Sequence, residues 1–137
     1  MKYNDSELPD NLLYNKDSSW IKIEGDIAAI GVIEPIAKVL KEFLFIKLPE
    51  QKTIKAGEVY VSLETLKWSG HLTSPLTGKI IETNESLYDE PNKINEKPYE
   101  SWILKMEIDD KKALEKLFKP DEIIDWLDKT IKGGEQR

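Results

Sequence analysis

There is no cysteine in these 137 residues, so the protein itself supplies no disulfide, no thiolate nucleophile and no sulfur ligand for a metal. Any sulfur chemistry has to arrive on a cofactor. Histidine is almost absent as well: His71 stands alone, with no second His and no Cys to complete an ordinary metal site, so no metal is expected. The longest near-continuous apolar run, residues 27–33, is far too short to span a bilayer, and the first residues lack the apolar stretch of a secretory signal. A soluble cytoplasmic protein without membrane contact is the expectation. Basic charge is in deficit, with 26 acidic against 20 basic side chains and a net charge of −6, a surface that repels phosphate backbones and argues against a nucleic-acid partner. The chain also lacks Gly-x-Gly-x-x-Gly, a P-loop, Gly-x-Ser-x-Gly and His-Glu-x-x-His. Carboxylates are plentiful, but their spacing selects no acid–base pair. A binding or carrier module is therefore more economical than an enzyme with its own active site.

The length suits one domain over residues 1–137, with a core at about 14–108 and a C-terminal helical segment at about 110–132. Residues 1–17 are polar and irregular, with Leu12, Leu13 and Tyr14 as anchors. Residues 20–23 and 27–33 form a first hairpin around the Gly25 turn. Pro35, Ile36, Val39 and Leu40 predict a short amphipathic helix ending near Glu42, and residues 43–48 read as a buried strand stopped by Pro49. Residues 79–83 form another short strand. Residues 84–100, with Pro91, Pro98 and three Asn, predict an ordered loop without a long regular element. Trp102, Leu104, Met106 and Ile108 recur at period two, a strand with one core-facing side that closes the sheet. Ala113, Leu114, Leu117 and Phe118 then fit one helix, Pro120 interrupts it, and Ile123, Ile124, Leu127 and Ile131 fit a second, ended by Gly133 and Gly134. The fold class predicted is mainly β, a small β-sandwich or partly closed barrel with one short internal helix and C-terminal helices.

The stretch from Val61 to Pro75 holds the sharpest functional signal. Two β-prone runs, residues 58–63 and 71–74, flank a polar turn, and Lys67 sits in that turn. A long amine at a hairpin tip is held far from the core, where another enzyme can acylate it. Lysines are also common in exposed turns simply as solvated charge, so the hairpin alone leaves both readings open.

The order of motifs along the chain resembles the H proteins of the glycine cleavage system, lipoyl-carrying members of the biotinyl/lipoyl-attachment superfamily. The similarity runs over residues 8–118. It is carried by Tyr14, Trp20, Gly25-Asp-Ile-Ala-Ala-Ile-Gly31, Leu48-Pro49, Gly57, Glu64-Thr-Leu-Lys67, Ser74-Pro-Leu-Thr-Gly78, Asn84-Glu-Ser-Leu87, and the run from Pro91 through Pro98 to Trp102. The family's attachment motif, approximately Glu-Ser-Val-Lys-Ala, places its lysine on Lys67 and its acid on Glu64. The resemblance thus implies covalent lipoate on Lys67, the lipoyl-domain hybrid motif as fold, and Glu64 and Trp68 as flanking recognition residues. Biotin carriers have Met on both sides of the lysine, so Leu66 and Trp68 favour lipoyl over biotinyl. The implied partners are a lipoate ligase or lipoyl transferase, the glycine decarboxylase, the tetrahydrofolate-dependent aminomethyltransferase and dihydrolipoyl dehydrogenase, between which the arm shuttles an aminomethyl group.

Several residues depart from the family pattern. His-Glu-Trp is replaced by Ser18-Ser19-Trp20, and an Asp four residues beyond the lysine by His71. In the family these two acidic positions lie near the cleft that shelters the cationic loaded arm, which makes Ser19 and His71 the arm-cleft candidates here. Trp68 stands for Ala, and Lys41-Glu42 for Gly-Asp. The loss of both carboxylates motivates an alternative, a paralogue carrying sulfur intermediates for a heterodisulfide-reductase-like sulfur-oxidation complex. A further alternative is an unmodified interaction domain, in which Trp68 merely packs on the hairpin.

Overall fold

The first hairpin forms as its sequence pattern requires: β4 (Ser19–Glu24) pairs antiparallel with β5 (Ile27–Val32), setting Trp20 opposite Gly31. Both residues are buried, and the indole lies flat against the glycine. A Cβ built on Gly31 would fall 2.5 Å from the Trp20 ring, so only glycine admits the indole at this cross-strand position. The indole N–H donates to the Pro98 carbonyl at 3.0 Å, satisfying the one polar atom of a side chain only 2% exposed.

The computed structural model describes residues 1–135. Its strands, all paired antiparallel, form three sheets. The largest runs β3 (Leu13–Tyr14), β4, β5, β11 (Leu104–Ile108), β10 (Gly78–Thr83) and β7 (Thr53–Ile54). A three-stranded sheet runs β6 (Phe45–Lys47), β8 (Val59–Glu64) and β9 (Ser69–Thr73). The third is a small hairpin, β1 (Lys2–Tyr3) with β2 (Ser6–Glu7). The mainly-β expectation is met, with separate sheets around a shared core in which Ile21, Ile30, Leu63, Leu72, Leu104 and Met106 are all buried.

Helices are short until the C-terminus. α1 (Glu34–Leu40) carries Pro35 in its first turn, as predicted. Its end is held by Asn95, whose amide donates to the Lys41 carbonyl at 2.7 Å while its oxygen accepts from Phe43 N at 2.9 Å. The predicted loop contains only two single-turn helices, α2 (Ser86–Asp89) and α3 (Lys93–Glu96). A 3₁₀ segment, Lys111–Lys116, precedes α4 (Pro120–Glu135). Pro120 opens α4, and Glu122 accepts from Lys119 N at 2.8 Å, satisfying one free donor at that helix start. Ile123 and Leu127 face the core.

Four expectations are corrected. The first residues are ordered: Tyr3 and Leu8 are buried, and the Tyr3 hydroxyl donates to Asp128 of α4 at 2.6 Å. Residues 43–48 are not a buried strand, since β6 is an edge strand with Phe45 66% exposed, while Phe43 and Leu48 on either side turn inward. β11 lies inside the largest sheet, between β5 and β10, rather than closing it. Gly133 and Gly134 do not end the last helix, which runs to Glu135; once the helix is propagating, the glycine cost of about 1 kcal/mol each does not stop it. The last two residues of the expected domain, 136–137, lie outside the described residues.

Two outcomes follow from this core. Gly31→Ala drives a methyl into the Trp20 ring, and urea unfolding should show a loss of about 1–3 kcal/mol, the cost of overpacking. Tyr14 and Tyr60 are buried, and burial holds both phenols well above the ordinary tyrosine range. A raised folded-state pKa contributes stability that is complete below the unfolded value of about 10 and is lost as pH rises above it. Stability measured against pH should therefore fall steeply beyond about 10, with phenolate absorbance from these two residues appearing only as the protein unfolds.

Candidate functional site

The Lys67 hairpin is built by β8 and β9, which pair Leu63 with Gly70 and Glu64 with Ser69. Between them the turn is closed at its base by Thr65 and Trp68. Thr65 N donates to the Trp68 carbonyl at 2.8 Å, and Trp68 N donates to the Thr65 hydroxyl at 3.1 Å. Two-residue hairpin loops usually take primed turns with positive φ, yet neither Leu66 nor Lys67 has positive φ. The side-chain hydroxyl of Thr65 supplies the closing acceptor instead. Leu66 and Lys67 are left at the tip, Leu66 84% exposed and Lys67 exposed beside it.

Trp68 braces this tip from within. A Cβ on Gly70 would fall 2.5 Å from the Trp68 ring, so the indole occupies the space where a side chain at 70 would stand, on the face shared with buried Leu63. It is half-buried and packs against the core. As at Gly31, an indole fills the place of a missing side chain, here from two residues away on the same segment, and this favours the packing reading of Trp68 over an indole free to shield a cofactor.

Glu64 is exposed at the end of β8; its carbonyl accepts from Leu44 N at 2.8 Å, so the β6 edge is tied to the hairpin. His71 is exposed on β9, and its Nδ1 lies 2.9 Å from the Ser62 hydroxyl on the neighbouring strand, where direct pairing brings side chains together. Ser19 is elsewhere. It is fully buried, its hydroxyl 2.6 Å from the Tyr60 hydroxyl, and it does not line a surface cleft. The structure thus gathers Glu64, Lys67, Trp68 and His71 on one hairpin and removes Ser19 from it.

Four residues that the sequence reading did not single out complete the site. Thr65 and Gly70 shape the tip. Asp17 and Thr73 fasten the hairpin base to the loop before β4: the Asp17 carboxylate accepts from both Thr73 N, at 2.6 Å, and the Thr73 hydroxyl. That loop is itself wound around Asn15, whose side-chain oxygen accepts from Asp17 N at 3.1 Å and Ser19 N at 2.9 Å, with Ser18 at φ 71. The Asn-x-Asp-Ser-Ser run was the available signal, since Asn side chains readily close such turns, but its distant partner Thr73 was not readable.

The site offers a primary amine. Among the described residues, Lys67 makes no ion pair and its amine no hydrogen bond, and no group of three or more His, Asp or Glu stands together to hold a metal. An acyl group on Lys67 fits these surroundings: the amine is accessible, and neutralising its charge breaks no interaction. Among the same residues no helix is long and apolar enough to cross a membrane.

Comparison with known proteins gives the family. The family profile described as Glycine cleavage H-protein matches residues 12–130. Glycine cleavage system H proteins of two Clostridium botulinum strains, Loch Maree (Type A3) and Kyoto (Type A2), are each 40% identical over 123 residues, covering 87% of this chain and 95% of theirs. The crystal structure of a glycine cleavage system H protein from Mycobacterium marinum superposes with a TM-score of 0.76 at 26% identity, covering 90% of this chain and 98% of that one. The matched span contains most of the core, the Lys67 hairpin and most of α4, and on that evidence the chain belongs to the glycine cleavage H-protein family.

Proposed function

We propose that this protein is a lipoyl carrier, acylated on Lys67, that moves an aminomethyl group among the glycine decarboxylase, the aminomethyltransferase and dihydrolipoyl dehydrogenase. The observation that carries the reading is an exposed, unpaired amine at a braced hairpin tip, in a chain of this family. Lipoate bound as an amide there supplies a reducible disulfide at the end of a flexible tether. The protein's own residues do the rest. Thr65 and Trp68 hold the tip in one shape, so the ligase meets a preformed target and loses little entropy in ordering it. Exposed Leu66 and Glu64 flank the amine as recognition contacts. The compact body keeps the tether's origin fixed, which raises the local concentration of the carried group at each partner. Catalysis belongs to the partners, and the protein works without an active site of its own.

A second reading keeps the arm and changes the cargo to a sulfur species. It is favoured by His71, which stands on the Lys67 hairpin bonded to Ser62 and presents no carboxylate to a cationic load.

Intact-mass measurement after incubation with lipoate, ATP and a lipoate ligase should show one lipoyl unit on the wild type and none on Lys67→Arg; an equal gain on both would reject Lys67. The lipoylated protein should then support glycine-dependent bicarbonate exchange by the glycine decarboxylase, and failure there alone would move the reading to the sulfur carrier. Gly70→Ala should displace Trp68 from its seat, seen as red-shifted tryptophan emission, and slow acylation several-fold because the tip loses its preformed shape.

A further inference from the structure

Backbone pairing around β9 leaves one strand edge open, and it lies beside the lysine. The sheet order is β6, β8, β9, so β9 has β8 on one flank and, among the described residues, no strand on the other. Its orientation follows from three hydrogen bonds. Ser74 N donates to Glu58 O at 2.7 Å, and the Trp68 carbonyl accepts from Thr65 N at 2.8 Å, so residues 68 and 74 turn their backbone groups toward β8. In an antiparallel strand the direction alternates residue by residue, which turns 69, 71 and 73 away from β8. Thr73 confirms the parity: its N–H points outward, to the Asp17 carboxylate. Ser69 and His71 therefore each direct an N–H and a carbonyl out of the sheet, with no partner for them among the described residues.

The β6 and β3 edges are covered. β6 packs against α2, and Leu48 N just beyond it donates to the Tyr88 hydroxyl at 3.2 Å. The β3 edge is bridged by Phe118, whose N and O both bond Tyr14 at 2.8 Å. Residues 69–71 carry no proline and no lysine, the usual guards of an exposed edge. Gly70 adds no side chain to obstruct an incoming backbone, and Asp17 stops the edge at Thr73.

We infer that this edge is the docking strand for the enzyme that acylates Lys67, which adds an extended segment of its own backbone across Ser69 to His71 as a fourth strand of the sheet. The inference rests on the carrier reading above. The occupant is chosen by two arguments. Unpaired N–H and C=O groups in strand geometry are matched by another strand rather than by a helix or a small molecule. Acylation also requires Lys67 Nζ itself inside the partner's active site, so the interface has to begin within a few residues of it, whereas partners acting on the finished arm reach the cargo at a distance. The chemical step is a single acyl transfer from an acyl adenylate. The Nζ–carbon bond forms, the carbon–oxygen bond to the nucleotide phosphate breaks, the nucleotide leaves, and the lysine ammonium gives up two protons to solvent.

The test compares His71→Pro with His71→Ala. Both lose the side-chain contact with Ser62, but only proline removes the outward N–H and fills the docking path; it deletes no bond to β8, and Gly70 before it is already extended. With purified lipoate ligase, ATP and lipoate, kcat/KM for His71→Pro should fall at least about tenfold below His71→Ala, the size of losing an edge hydrogen bond and its neighbour. A readout on the unsubstituted protein guards against misfolding of the proline variant: amide exchange at Ser69 and His71 should be fast alone and slowed by ligase. Equal kcat/KM for the two variants, or ligase binding that leaves both amides fast, overturns the docking strand while the carrier reading stands. Absence of any lipoyl unit on the wild type overturns both.

Discussion

The packing of Trp20 onto Gly31 constrains everything else in this molecule. An indole needs a broad flat seat, and a two-strand pairing supplies one only where the opposite residue has no side chain. Once seated, the ring reaches the Pro98 carbonyl and lies 6.2 Å from the Tyr99 ring. Tyr99 in turn donates to the Glu7 carbonyl and accepts from Glu34 N. One buried side chain thereby fastens the largest sheet, the long loop before β11, the N-terminal hairpin and the start of α1. Because the indole N–H is satisfied inside the core, burial carries no unpaired donor to offset the large apolar area removed from water.

The second indole also fills a glycine's empty side-chain space, but from two residues away on its own segment and to a different end. Trp68 on Gly70 stabilises no core of comparable size, but it stops the hairpin tip from wandering. A carrier needs both halves of that arrangement: freedom beyond the lysine nitrogen and rigidity before it. Backbone disorder at the tip would add an ordering cost of about 1–2 kcal/mol per residue each time an enzyme gripped it. Bracing by Trp68, the Thr65 hydroxyl and the Asp17–Thr73 clasp removes that cost in advance, leaving mobility to the lysine side chain and whatever it bears.

The substitutions that set this chain apart from its family pattern have local explanations. Ser19 fits beneath Tyr60 because a hydroxyl can both donate and accept at that buried site, whereas a carboxylate there would have to shed its water. His71 lies across from Ser62 in a close cross-strand pair and finds a hydrogen bond there. Neither residue depends on a cargo to account for its conformation. The replacement of Gly-Asp by Lys41-Glu42 puts a lysine at φ 72, a conformation in which glycine is at ease, and the Asn95 side chain steadies that corner through the Lys41 carbonyl.

Local chemistry made the Lys67 hairpin, the first hairpin, α1 and the last helix readable in advance, because period-two and period-3.6 patterns and turn residues act within a few positions of one another; Leu117 and Phe118, read as helical, are instead extended, with Phe118 bridging Tyr14. Glu64, Lys67 and Trp68 came with the motif order. Burial and long-range partnership did not. Tyr3 and Leu8 sit in a stretch whose polar composition suggested an irregular tail, and only α4 arriving from the other end of the chain gives them a surface to bury against. Phe45 looked like core and is exposed, since whether a strand faces a second layer depends on what the rest of the chain places over it. By itself the sequence determined the longer strands of the two hairpins and of residues 78–83 and 104–108, and that Lys67 stands in a turn; the tertiary structure alone decided that Ser19 is buried, that Asp17 clasps Thr73 and that the β9 edge stays open, because each depends on two distant segments meeting.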